Sequence, residues 1–195
     1  RLRRRAYGGT FTANLARVVF ELAAEKTGAL VVLTRDDNPS QLIHTGQKVM
    51  AIPDPMLIKS IFNHHAPAHD GAVIISQDLL THMGCILPLS ESRDLPEQYG
   101  TRHRAAMGLS EVTDAVCLVV SEERSEVASI VGGKIALWNQ PDALQAQLKE
   151  WLGGPEIQVP TIQRFLEDFF IKNWKTKLAA FALVSTCWLV LAGHQ

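Results

Sequence analysis

Three short apolar runs, at 29–33, 73–76 and 115–120, constrain this chain more than any other feature. They are too short for helices, are rich in Val, Ile and Leu, and are bounded by turn residues, so they read as buried strands. Helical spacing fills the gaps between them. From about Thr12, the residues Leu15, Val18, Val19, Leu22 and Ala23 recur on one helix face, with Gly28 placed to end the helix. Pro53-Asp54-Pro55 opens a second helix whose apolar face is Leu57, Ile58, Ile61 and Phe62. Thr101 suits the N-cap of a helix over 102–109, and 142–151 forms another, closed by Gly153-Gly154. Further strands are expected at 42–44 and 82–88, with a hairpin joining 127–131 to 134–138 around Gly132-Gly133. Turns are expected at Asp36-Asp37-Asn38-Pro39 and Gln77-Asp78, and an exposed loop at 90–99. Interleaved helices and strands predict an α/β class: a single domain with a central mixed β-sheet flanked by helices.

Composition is compatible with one such domain and its appendages. The 195 residues are 47% hydrophobic, ample for a core, and the net charge of -1 argues against wholesale nucleic-acid binding. Cys85, Cys117 and Cys187 are scattered through apolar surroundings with no zinc spacing, which suits a reducing, cytosolic environment. A chain that begins at Arg1 rather than Met reads as a piece of a longer one, and no secretory signal is visible at this end.

Three polar groups sit at the edges of apolar elements. His69-Asp70-Gly71-Ala72 places a histidine and a carboxylate directly before a strand, with two small residues leaving room beside them. Arg102 and Arg104 put two guanidinium forks at a helix start, where the backbone amides add partial positive charge. Glu122 and Glu123 follow a strand and offer a second acid. Each motif taken singly is also what a turn, an exposed helix start or a hairpin cap looks like. Together they describe a metal–nucleotide site, although no Gly-x-x-x-x-Gly-Lys-Ser/Thr or Gly-x-Gly-x-x-Gly loop is present. His64 and His65 lie near His69, but at no familiar metal spacing. The residues alone stop at a nucleotide-handling α/β domain.

The motifs His69-Asp70-Gly71-Ala72-Val73-Ile74-Ile75, Leu87-Pro88-Leu89-Ser90, Gly100-Thr101-Arg102-His103-Arg104-Ala105-Ala106-Met107-Gly108 and Val119-Val120-Ser121-Glu122-Glu123 resemble the signature set of the diadenylate cyclase domain, in order and in spacing. The similarity runs from about Leu15 to Leu137 and is greatest to the membrane-tethered subfamily. The resemblance implies condensation of two ATP into cyclic di-AMP, with release of two pyrophosphates and use of a divalent metal, Mg or Mn. It implies that Asp70 activates the ribose 3′-hydroxyl, with Arg102 and Arg104 completing the catalytic set. His69, Asp70 and Glu123 would hold the metal, with Glu122 the alternative acid. Gly71 and Ala72 would line the ribose, and Ile86 and Leu87 would meet the adenine. Thr101, Arg102, His103, Arg104, Ser121 and Glu123 would contact the phosphates. Ala68 and Ile86 depart from the subfamily, which usually has Leu and an aromatic there. Because each domain would bind one ATP, the resemblance implies at least a homodimer. Two rival functions are an idle nucleotide-binding sensor and a metal-dependent phosphohydrolase. Asp70 and both arginines argue against the first, and too few acids for a two-metal cage against the second.

Both ends suggest a membrane. Residues 1–11, with four arginines in the first five positions, read as a basic juxtamembrane segment ahead of a catalytic domain at 12–152. Residues 153–172 read as a linker containing an amphipathic helix, and 173–195 as the start of a transmembrane segment. The apolar run of about fifteen residues from Leu178 is shorter than the roughly twenty a span needs. Asn173-Trp174-Lys175 and the residues after it resemble the opening span of YbbR-type proteins, membrane-anchored partners of these cyclases. Lysines before the run predict a catalytic domain facing the cytoplasm at the cell membrane.

Overall fold

The computed structural model describes residues 8–37, 43, 45–91, 96 and 99–153. Its elements, in order, are α1 (Gly9–Ala24), β1 (Ala29–Leu33), β2 (Gln47–Ala51), α2 (Pro55–Ile61), β3 (Ala72–Ser76), β4 (Leu79–Cys85), α3 (Thr101–Val112), β5 (Val116–Val120), β6 (Val127–Val131), β7 (Lys134–Trp138) and α4 (Pro141–Leu152). The basic segment at 1–7, the amphipathic helix and the apolar C-terminal run lie outside the described residues, as does the strand expected at 42–44 apart from Ile43. Among the described residues no helix is long and apolar enough to cross a membrane.

The strands form one mixed sheet in the order β2-β4-β3-β1-β5-β6-β7. β1 runs parallel to β3, and every other neighbouring pair is antiparallel. β1 is central and buried along its whole length, and its alternate side chains feed two cores. Val31 and Leu33 join Leu15, Val18 and Leu22 of α1, Ile58 of α2 and Leu144 of α4. Leu30 and Val32 join Ala105, Ala106 and Leu109 of α3 on the opposite face. The sheet is therefore covered on both sides, which is why β1 and β5 carry no polar residue.

Local chemistry accounts for most boundaries. Asp54 caps α2 by accepting a hydrogen bond from the Met56 amide at 2.8 Å, with Pro55 in the first turn. Gly132 and Gly133 both take positive φ, as the two-residue β6–β7 hairpin requires. Gln77 and Asp78 do the same between β3 and β4 at some conformational cost. Three expectations need correction. α1 starts a turn before Thr12, whose hydroxyl donates back to the Gly9 carbonyl inside the helix. β4 covers 79–85 rather than 82–88, because pairing begins directly after the Gln77-Asp78 turn. β2 has no counterpart in the sequence reading: it is an edge strand with mostly exposed side chains, so it lacks an apolar signature.

Leu33 is fully buried at the centre of the sheet. Leu33→Ala is expected to lower unfolding stability by about 2–5 kcal/mol, the range for emptying such a site. A urea titration that gives less than about 1 kcal/mol would contradict this packing.

Candidate active site

Four strand ends meet along one edge of the sheet. β1 and β3 begin there, and β4 and β5, antiparallel to their neighbours, finish there. Residues just beyond those ends become neighbours: Asp70 and Gly71 before β3, Ile86 and Leu87 after β4, and Ser121, Glu122 and Glu123 after β5. With Thr101, Arg102 and His103 from the start of α3, they line an open cavity of about 520 Å³. That size lies within the usual range for small-molecule sites.

Asp70 is held at the mouth by backbone packing. A Cβ on Gly71 would lie 2.5 Å from Gly84 Cα and 2.8 Å from the Cys85 amide nitrogen, so the two chains touch main chain to main chain. Gly84 itself takes φ +65, a conformation that favours glycine. Asp70 is left exposed at the cavity, while Ala72 behind it is buried. His69 is fixed through its ring: Nδ1 donates to the Ala66 carbonyl at 2.7 Å. A carbonyl only accepts, so Nδ1 carries a proton, and it is Nε2 that offers a lone pair in the neutral ring.

The start of α3 supplies another part of the lining. Its N-cap is Gly100, not Thr101, and no side chain caps the first turn. Thr101 is instead the exposed first residue of the helix; the His103 and Arg104 amides donate to the Gly100 carbonyl, and among the described residues no side chain caps the turn. Arg102 Nη1 pairs with Glu122 Oε2 at 3.2 Å. Arg104 is not among the residues lining the cavity. Residues two apart on a helix face different sides, so a helix that already includes both arginines separates them.

His103 also differs from a cationic phosphate ligand. It is buried, its ring lies 4.7 Å from that of Tyr99, and Arg124 stands 4.9 Å from the same Tyr99 ring. Burial, and secondarily repulsion from Arg124, pushes its pKa down from the ordinary 6.5 to about 4. Near neutral pH His103 is therefore an uncharged hydrogen-bonding group. Cys85 also lines the cavity, with its thiol pushed up by burial to about 11, so it is not a ready nucleophile.

Of the thirteen residues singled out from the sequence, the cavity gathers His69, Asp70, Gly71, Ala72, Ile86, Leu87, Thr101, Arg102, His103, Ser121, Glu122 and Glu123, leaving out Arg104. His64, set aside on spacing, also lines it, with its ring 6.2 Å from that of His69. Its adjacency in sequence to His65 hid that placement. Among the described residues no three His, Cys, Asp or Glu side chains converge as a metal cage. The donor chemistry still fits a divalent cation: one imidazole lone pair at His69, with carboxylates at Asp70 and Glu123 on the same cavity. Mg-type ions are commonly held by one or two carboxylates and completed by substrate phosphates.

A histidine kept neutral by folding makes stability pH-dependent. Its folded pKa lies below the unfolded one, so its contribution is complete above about pH 6.5 and is lost as pH falls through about 4. His103→Gln is expected to flatten the stability profile over that window, measured as urea midpoints from pH 4 to 7. Parallel profiles for both proteins would contradict a depressed His103 pKa.

Known proteins share sequence and fold with this chain. The DAC family model, described as DisA bacterial checkpoint controller nucleotide-binding, matches residues 16–135. The chain is 39% identical over 131 residues to the diadenylate cyclase CdaS of Bacillus thuringiensis, covering 66% of this chain and 65% of that one. It is 36% identical over 135 residues to the cyclic di-AMP synthase CdaA of Bacillus subtilis, covering 69% of this chain and 50% of that one. The chain thus spans half to just under two thirds of the length of these relatives. The crystal structure of a double mutant of DacA from Staphylococcus aureus superposes with a TM-score of 0.71 at 31% identity, over 74% of this chain and 97% of that one. With more than half of its residues matched by the family model and the same fold in a solved relative, this chain belongs to the DAC family of nucleotide-binding domains.

Proposed function

We propose that this chain is the catalytic domain of a diadenylate cyclase, condensing two ATP into cyclic di-AMP with release of two pyrophosphates. The observation that carries the reading is that one cavity is lined by both Asp70 and the Arg102 helix start. The names of the relatives agree with it.

The chemistry asks for a 3′-oxygen that attacks an α-phosphate in line, with charge building on the equatorial and leaving oxygens. Asp70 accepts the proton of the 3′-hydroxyl. Arg102 and the amides of the first α3 turn stabilise the phosphate charge, with Thr101 and Ser121 donating through their hydroxyls. Gly71 and Ala72 leave room for the ribose, and Ile86 with Leu87 meets the adenine. His69, Asp70 and Glu123 would hold a divalent cation, Mg or Mn, which when bound neutralises phosphate charge. His103 serves as a neutral neighbour of the phosphate site, and Arg104 contributes from outside the cavity lining.

One domain holds one ATP, so the second must come from a facing copy. The exposed apolar side chains of Ile86 and Leu89, both at the cavity, suit coverage by that copy. Attachment to the cell membrane through the flanking segments fits a similar structure described as a hypothetical membrane spanning protein from Bacillus cereus. That structure has a TM-score of 0.65 at 37% identity, covering 66% of this chain and 63% of that one. The lysines ahead of the C-terminal apolar run favour a catalytic domain on the cytoplasmic side. A YbbR-type regulatory region beyond the domain completes the proposal.

Incubation with ATP and Mn or Mg, followed by product identification, tests the activity. Cyclic di-AMP is expected, whereas ADP or AMP alone would overturn the reading in favour of a hydrolase, and unchanged ATP in favour of an idle sensor. Asp70→Asn is expected to lower turnover by about 10²–10⁴ while ATP-analogue binding survives. Near-normal turnover would remove Asp70 from the mechanism. Specific activity is also expected to rise with protein concentration until pairing saturates. Flat activity down to monomeric protein would exclude a shared site.

A further inference from the structure

Gly28 lies between α1 and β1, where the sequence suggests a helix stop. The helix has already ended before it: Glu25 is the C-cap, and Lys26 takes the left-handed turn at φ +53. Gly28 is not among the glycines with positive φ, so its backbone makes no demand for glycine. Its distinctive property is space. A Cβ on this buried residue would run into Arg102 Nη1, and would lie 2.7 Å from Glu122 Oε2 and 2.8 Å from Arg102 Cζ. Those two side chains pair with each other at 3.2 Å and line the cavity.

We infer that Gly28 and Glu122 are positioning residues that together form a seat for the Arg102 guanidinium. This inference rests on the cyclase reading, in which Arg102 takes nucleotide phosphate. Gly28 supplies the floor and Glu122 the orienting acceptor. The Glu122 contact engages Nη1, and the planar fork carries further donors that a phosphate can take at the same time. Stability is a poor explanation for the pair. Arg102 is 24% exposed and Glu122 45%, and ion pairs this open contribute little to folding. A methyl group at position 28 arises from main chain fixed beside β1. What yields is the far end of a flexible side chain, so the guanidinium swings off its seat.

Two effects then move in opposite directions. Alanine at an ordinary φ restricts the unfolded chain, so folding stability should hold or rise. Phosphate affinity should fall, because a charge-assisted contact is misplaced. The test compares wild type, Gly28→Ala, Arg102→Ala and the double variant by equilibrium binding of a non-hydrolysable ATP analogue with Mg, with urea midpoints in parallel. Gly28→Ala is expected to bind roughly tenfold more weakly with its urea midpoint not reduced. In the Arg102→Ala background the same change should add nothing, because its target is gone. Wild-type affinity in Gly28→Ala, or an equal loss in both backgrounds, overturns the seat. Glu122→Ala, which leaves the backbone untouched, provides a second arm: a several-fold loss that vanishes in the Arg102→Ala background supports the seat, and unchanged affinity overturns it. A wild-type protein that binds no analogue overturns the cyclase reading itself, and with it this inference.

Discussion

The parallel pairing of β1 with β3 is the constraint from which the site follows. In a sheet otherwise antiparallel, this one pair puts two strand beginnings on the edge where β4 and β5 end. Strand ends carry loops, and loops carry side chains that need not be apolar. Residues from the ends of β3, β4, β5 and α3, up to about fifty positions apart, therefore meet at one place, with Asp70, Ser121 and Glu123 among the polar ones. The parallel step demands a crossover, and the stretch from β2 through α2 supplies it, burying Ile58, Ile61 and Phe62 against the sheet. Reversing β3 would carry Asp70 to the opposite edge, away from Arg102, without changing its composition or burial.

The two faces of the sheet have different duties. α1, α2 and α4 cover one face and share its larger core, which includes Leu15, Leu22, Leu33, Leu118 and Leu148. α3 alone among the described helices joins the core on the other face, through small or flexible side chains such as Ala105, Ala106 and Met107. That close packing brings its first turn to the sheet edge. The site is consequently attached to the more thinly covered face, where a change in α3 alters function before it alters the main core.

Much of this was legible because burial leaves a signature. β1 and β5 are buried on both faces and read as unbroken apolar runs, and the Gly132-Gly133 hairpin announces itself through a demand for positive φ. β2 was silent because an edge strand with exposed side chains has no periodicity to detect. Most candidate site residues could be named from their motifs, yet their relative placement could not. Arg102 and Arg104 look equivalent in sequence, and only the helix start at Thr101 separates their directions. Gly28 was misread for a related reason: a glycine after a helix suggests a stop, whereas its neighbour across space is a side chain 74 positions later, Arg102.

Charge and space divide the work of assembling the site. Its formal charges are few and partly open to water, so the strength of its grip has to come when a ligand's own phosphates displace that water. Accuracy before that moment must come from backbone. Ser90 donates its amide hydrogen to the Arg104 carbonyl at 3.0 Å and its hydroxyl to Glu111 at 2.7 Å, tying the segment after Leu87 to α3. Gly108 permits that approach, because a Cβ there would lie 2.7 Å from the Ser90 amide nitrogen. Arg104 thus helps build the site through its carbonyl even though its side chain does not line the cavity. Gly71 brings the Asp70 turn against β4 by the same device. The polar groups are therefore located by places where side chains are missing, and at such places the addition of one methyl group is a larger change than the loss of an exposed charge.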